Sequence, residues 1–153
     1  MRNYKTVVKY IGIIMFVLYL SYLIYLTFFD HTYGRNVFHR RINLIPFKTI
    51  IKFLTSSYNW NVILINIAGN IAAFVPMGFL LPIAFSRLKD FSKVLAAVLL
   101  STLSIEIFQY ILAAGTSDID DVILNVLGGV IGYFMLKGAA KLAALISREG
   151  NKI

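Results

Sequence analysis

The sequence predicts an all-α integral membrane protein with four transmembrane helices, formed by a single domain over residues 1–153. Hydrophobic residues make up 59% of the chain and charged residues 14%, and the mean hydropathy is +0.77. Soluble domains are less apolar than this. Four apolar stretches, residues 7–29, 60–85, 94–114 and 122–140, each approach the ~20 residues that cross a ~30 Å hydrocarbon core as a helix.

The first stretch follows a basic N-terminal segment, residues 1–9, as a signal peptide would. Its apolar run is long, however, and no pair of small residues with cleavage-site spacing follows it, so we expect it to remain as a helix. Tyrosines at both of its ends are typical of the interfacial belt of a membrane anchor. The chain has no cysteine, which excludes disulfides, thiol chemistry and cysteine-based metal sites.

The distribution of positive charge predicts the orientation. With four spans, both termini lie on the same side of the membrane. Ten of the 15 lysines and arginines belong to the two termini and to the loop between the second and third spans, and five belong to the loop after the first span. The positive-inside rule therefore predicts cytoplasmic termini. The loop at residues 30–59 and the acidic turn at residues 115–121 would then face outside.

The outer loop has features of a segment that lies in the membrane interface. Arg40 and Arg41 are adjacent and can clamp a phosphate or carboxylate, or they can simply contact lipid headgroups. Residues 43–47 are too apolar for a freely solvated loop, and the segment after them predicts a short amphipathic helix. His31 and His39 have no recognisable ligand spacing, so we predict no metal site.

Polar side chains recur at similar depth in the second and third spans. Asn66 and Asn70 lie four residues apart, on one face of the second span. Glu106 and Gln109 lie three residues apart, on one face of the third. An ionisable group at such depth suggests a functional site. Alternatively, these groups hold helices together, with a neutral Glu106 hydrogen-bonded to an asparagine.

The acidic stretch at residues 117–125 precedes the fourth span. If the helix starts at Asp118, then Asp118, Asp121 and Asn125 occupy one face, which predicts a polar surface turned away from lipid. Capping of the helix and its dipole are sufficient reasons for the aspartates, but they do not account for Asn125.

Small residues predict close contacts between helices. Gly128 and Gly132 form a GxxxG pattern that we expect to pack against another helix of the same chain, and Gly69 with Ala73 offers a second such surface. Residues 137–152 alternate basic and apolar residues and predict an amphipathic tail along the inner leaflet. The pI of about 9.8 then reflects membrane topology, and no nucleic-acid-binding module is predicted.

Four blocks of residues together resemble the VanZ-like family. They are residues 41–47, residues 66–82, the pair Glu106 and Gln109, and residues 117–129. The resemblance implies a small multi-pass protein of the bacterial plasma membrane that acts at its outer face. The founding member is associated with low-level resistance to teicoplanin, a lipid-tailed glycopeptide that targets cell-wall precursors. Some members carry an arginine just before the aspartates, where this chain has residues 115–117 without one. The resemblance implies no established catalytic residue.

Our leading hypothesis is an outward-opening polar pocket lidded by residues 41–47. It would bind an amphiphilic envelope lipid, such as a lipid-linked cell-wall precursor, or a lipoglycopeptide, without a cofactor. The predicted ligand-binding residues are Arg41, Asn43, Asn66, Asn70, Glu106, Gln109, Asp118, Asp121 and Asn125.

Two alternatives remain from the sequence. An intramembrane enzyme could act on a lipid-linked phosphate, with Glu106 or an aspartate as base and Arg41 neutralising the phosphate. No histidine lies beside these acids and no phosphatase signature is present, which disfavours this alternative. A transporter subunit would need an oligomer, since four helices are few for alternating access and no inverted repeat is visible.

Overall fold

The structure of the chain, a computed structural model, confirms the predicted all-α membrane architecture. It describes residues 2–29, 41–55, 58–113 and 115–150. The elements in chain order are α1 (Arg2–Phe28), β1 (Arg41–Asn43), α2 (Lys48–Thr55), α3 (Trp60–Ala84), α4 (Phe91–Ile111), β2 (Thr116–Asp118) and α5 (Ile119–Gly150). Within these ranges, α1, α3, α4 and α5 are long and apolar enough to cross a membrane.

The centre of the bundle is the contact between α3 and α5, which run side by side in the same direction. A β-carbon on Gly132 would overlap the carbonyl oxygen of Val75, and one on Gly128 would overlap that of Ile71. The GxxxG prediction is therefore confirmed: these glycines let two backbones meet. The predicted second surface is not used in this way, since a β-carbon on Gly69 would meet nothing within 4 Å.

The remaining long helices pack on this central pair, α1 against α3 and α4 against α5. Their shared core contains Phe74, Met77, Val98 and Tyr133, all of which are buried. The hydroxyl of Tyr19 on α1 donates to the carbonyl of Ala73 at 2.8 Å, which fixes α1 against α3.

The C-terminal segment, which the sequence predicted as the basic tail of the fourth span, is a direct continuation of α5. α5 is a single helix of 32 residues that continues without a break to Gly150. The physical reason is local: residues 139–148 are rich in alanine and leucine, which are strong helix formers, and they contain no proline or glycine. The basic residues of this segment therefore extend α5 instead of starting a new element.

One end of the bundle carries the short elements, and there the long helices are staggered. The amide of Asn70, ten residues into α3, hydrogen-bonds Asp121, which lies near the start of α5. At ~1.5 Å per residue, and with Asp121 two residues into α5, α3 therefore extends about 12 Å beyond the start of α5. β1 and β2 lie at this end and form a two-stranded parallel sheet, with Asn43 paired to Asp118.

Candidate functional site

Asp120 holds the N-terminus of α2. Its side chain is 0% exposed, and its two carboxylate oxygens accept hydrogen bonds from three backbone N–H groups. The donors are Phe47 at 2.5 Å, Thr49 at 2.7 Å and Ile50 at 3.1 Å. The first N–H groups of a helix lack partners within that helix, and they attract negative charge. A carboxylate from α5 thus caps a helix that lies about 70 residues earlier in the chain.

Asp118 binds the same outer segment and also caps its own helix. Its carboxylate accepts from the Asn43 amide at 2.9 Å and from the Thr49 hydroxyl at 2.5 Å. It also accepts from the Asp120 backbone N–H at 2.9 Å, which is the geometry of a helix N-cap. Asp118 ends β2 and α5 begins at Ile119, so Asp118 is the N-cap, as the capping interpretation of the sequence proposed. We call Asp118 and Asp120 together the acid clamp.

The clamp stabilises a turn of unusual conformation. The backbone N–H of Lys48 donates to the carbonyl of Ile45 at 3.3 Å, which closes a four-residue turn containing Pro46 and Phe47. Phe47 has a φ of 64°. This left-handed conformation is one that a turn usually assigns to glycine, because a β-carbon makes it costly. The side chain of Phe47 is nevertheless 54% exposed, so packing within the described chain does not explain it.

A second set of polar groups lies between α3, α4 and α5, and we call it the polar layer. The Asn70 amide donates to Asp121 at 2.7 Å, which joins α3 to α5. Glu106 on α4 accepts from the backbone N–H of Asp118 at 2.8 Å. One turn further in, the Asn125 amide donates to the hydroxyl of Thr102 at 2.8 Å. The structure thus brings together polar side chains that the sequence places on three separate helices.

Two acceptors in this layer lack a partner among the described residues. They are Oε1 of Gln109 and Oδ1 of Asn125, both fully buried. Glu106 is also buried, and its carboxyl group accepts the Asp118 N–H. A neutral Glu106 also has an O–H donor, the kind of group that these acceptors lack. The described part of the chain contains no cluster of three or more acids or histidines suited to a metal.

Some predicted ligand-binding residues lie elsewhere. Asn66 is exposed, and its amide donates to the carbonyl of Val62 in its own helix at 2.7 Å, so it does not join the polar layer. Asn43 donates to Asp118 of the acid clamp and does not join the polar layer. The backbone of Arg41 belongs to β1, but its side chain lies outside the described part of the structure.

Three contributing residues were absent from the predicted set. Asp120 was attributed to the helix dipole alone, and Thr49 and Thr102 were not singled out. Thr102 could have been found from its spacing, because it lies four residues before Glu106 on the same face of α4. Thr49 had no such signal, since its partner is distant in sequence.

We expect Glu106→Gln to fold and melt like the unmodified chain. Glutamine has the shape of a neutral glutamic acid: its oxygen can accept the Asp118 N–H, and its amide can donate to a buried acceptor. Glu106→Leu removes that acceptor and should lower the free energy of unfolding by ~1–3 kcal/mol. Thermal melting in detergent distinguishes the two variants. If Glu106→Gln were as unstable as Glu106→Leu, the charged form of Glu106 would be the one that the layer requires.

Comparison with known proteins gives two matches. The sequence model of a family described as VanZ/LLP1 matches residues 16–143. Protein VanZ of Enterococcus faecium is 36% identical over 119 residues, which cover 75% of this chain and 66% of that protein. The match thus spans slightly less than two thirds of the relative's length. No solved structure matches the chain.

Proposed function

This chain belongs to the VanZ/LLP1 family, and we propose on that basis that it binds an amphiphile of the bacterial cell envelope. The ligand is a membrane lipid, a lipid-linked cell-wall precursor or a lipoglycopeptide. Binding contributes to teicoplanin resistance or to envelope homeostasis. The end of the bundle that carries the acid clamp is the binding end, and it faces the outside of the plasma membrane.

The observation that carries this proposal is the surface of α2. The helix is attached through its N-terminus to the acid clamp, and none of its eight residues is buried. Ile51 and Leu54 are exposed, as are Leu44 and Ile45 in the preceding segment. An exposed apolar surface beside polar residues is suited to the acyl chain of an amphiphile.

The clamp binds the start of α2, and the polar layer in turn binds the clamp through Glu106 and the Asp118 N–H. Asp118 and Asp120 already accept hydrogen bonds from the chain itself, so their role is to hold the turn and α2 in place. This arrangement changes our hypothesis of a pocket lined by acids. The ligand contacts the outer segment, and the buried acids position that segment.

The proposed orientation is tested by labelling intact cells with a membrane-impermeant maleimide. The chain has no cysteine, so a single one can be placed at exposed Thr116 near the clamp, or at exposed Ser92 near the start of α4. We expect labelling of Thr116→Cys and none of Ser92→Cys until the cells are permeabilised. Labelling of Ser92→Cys alone would place the clamp in the cytoplasm.

The proposed function is tested by growth in teicoplanin. We expect expression of the chain in a susceptible Gram-positive host to raise the inhibitory concentration of teicoplanin, but not that of a glycopeptide without an acyl chain. The variant Ile51→Ser with Leu54→Ser removes exposed apolar surface from α2 and should lose the protection. A matched control, Leu142→Ser with Leu145→Ser, changes two exposed leucines near the end of α5 and should retain it. Equal protection by both variants would contradict a role for α2.

A further inference from the structure

We infer that the turn and α2 bind a lipid with an anionic phosphate headgroup in the outer leaflet, with Phe47 inserted beside its acyl chain. This inference rests on the proposed function and goes further, because it names the chemical class of the ligand and the residues that contact it. Three independent features of the outer segment support it: the conformation of Phe47, the sign of the accessible charge and the arrangement of faces around α2.

The conformation of Phe47 indicates a role for its side chain. Glycine would adopt a φ of 64° without strain, whereas a bulky side chain is disfavoured there. Asp120 over-determines this conformation by accepting the N–H of Phe47 and those of two residues after it. Strained residues held in this way are concentrated at binding sites. Since more than half of the side chain is exposed, the ring is available to contact the acyl chain of a lipid.

The accessible charge of this segment is positive. Lys48 and Lys52 are exposed, and they lie four residues apart on one face of α2. The nearby carboxylates of Asp118, Asp120 and Glu106 are buried and accept internal hydrogen bonds. An approaching headgroup therefore meets ammonium groups, which favour phosphate.

The N-terminus of α2 is not an alternative anion site. Its backbone N–H groups at Thr49 and Ile50 already donate to the Asp120 carboxylate, so they are occupied. Phosphates often bind at such helix ends through these same groups. Because Asp120 takes that place, recognition of a phosphate on this segment depends on the lysine side chains.

The faces of α2 have the order that a lipid at an interface requires. At about 100° per residue, Lys48 and Lys52 share one side, and Ile51 and Leu54 occupy the adjacent side. Thr49 faces the clamp, as its hydrogen bond to Asp118 shows. A lipid whose phosphate lies on the lysine side would thus have its acyl chain along the exposed apolar side of α2.

The test uses a local reporter on α2. Thr55→Cys provides a unique thiol at the exposed end of the helix, which is labelled with an environment-sensitive fluorophore in the purified, detergent-solubilised chain. The probes are phosphatidylglycerol, phosphatidylcholine and inorganic phosphate. We expect a saturable response to phosphatidylglycerol at least about tenfold tighter than to phosphatidylcholine, since each lysine near an anionic headgroup contributes on the order of 1 kcal/mol. Inorganic phosphate alone should give none.

Three variants give the expected pattern on the same reporter. Lys48→Gln with Lys52→Gln should remove the preference for phosphatidylglycerol. Lys137→Gln with Lys141→Gln removes equal charge from exposed positions on α5 and should leave the response at α2 unchanged. Phe47→Gly should weaken binding while the melting temperature stays the same or rises, because glycine relieves the backbone strain.

The outcomes separate this inference from the proposed function. An equal response to both lipids, a response to inorganic phosphate alone, or unchanged binding by Phe47→Gly would overturn the inference. If the lysine variant lost lipid preference but still protected cells from teicoplanin, phosphate-headed lipid would not be the ligand that matters for protection. If the Ile51 and Leu54 variant still protected cells although it had lost the lipid response that the unmodified chain shows, the proposed function would fail and the lipid site would stand.

Discussion

Gly132→Ala is expected to abolish folding of the four-helix bundle. The added β-carbon would overlap the carbonyl oxygen of Val75 and lie 2.9 Å from the backbone nitrogen of Phe79. Ordinary overpacking costs ~1–3 kcal/mol because flexible side chains move aside. Here the neighbours are backbone atoms of α3, so the two central helices must separate and lose their packing along the whole contact. We expect a cost above that range, seen as loss of the monodisperse peak in size-exclusion chromatography.

Two glycine variants serve as controls for this prediction. Gly138 lies six residues later in α5, and Gly69 lies in α3, and an added β-carbon at either would meet nothing within 4 Å. Alanine favours a helix over glycine by ~1 kcal/mol, so Gly138→Ala and Gly69→Ala should be as stable as the unmodified chain or slightly more so. A Gly132→Ala protein with the same elution profile and melting temperature as these controls would show that α3 and α5 do not meet in this register.

Asp120→Ala is expected to release α2 while leaving the long helices in place. It removes the acceptor of three backbone N–H groups at a position with no exposure. Each hydrogen bond to a charged group contributes ~1.5–3 kcal/mol, and losing three of them exceeds what an eight-residue helix can supply alone. The core around Phe74 and Val98 lies deeper in the bundle and does not depend on the clamp.

Hydrogen–deuterium exchange measures this effect directly. In Asp120→Ala, the amides of Phe47, Thr49 and Ile50 should exchange much faster, whereas those at the contact of α3 and α5 should remain protected. Asp90→Ala provides the control, because Asp90 is exposed and forms an ion pair with Lys93 at 2.6 Å. We expect no change at α2 in that variant. If the amides of Phe47 and Thr49 stayed protected in Asp120→Ala, Asp120 would not be what holds the N-terminus of α2.

The sequence by itself determined the four spans and the close contact of Gly128 and Gly132 with a neighbouring helix. Both follow from local properties. A hydrocarbon core demands a certain length of apolar residues within one segment, and a small-residue pattern on one helix face is visible within five residues. That Asn70, Glu106 and Asn125 lie in the same part of the bundle was also accessible from the helical rise, although Asn125 bonds Thr102 one turn further in than Glu106.

Only the tertiary structure decided which polar residues act together. Asp118, Asp120 and Asp121 are chemically alike, yet the register of β1 against β2 directs two of them to the outer segment and leaves Asp121 to Asn70. Asn66 and Asn70 share a face of α3, but α5 begins near the level of Asn70. Asn66 lies about 6 Å further out, so its amide bonds a carbonyl of its own helix. Hydrogen-bond partners some 70 residues apart depend on how helices are staggered, and no local pattern in the chain encodes that offset.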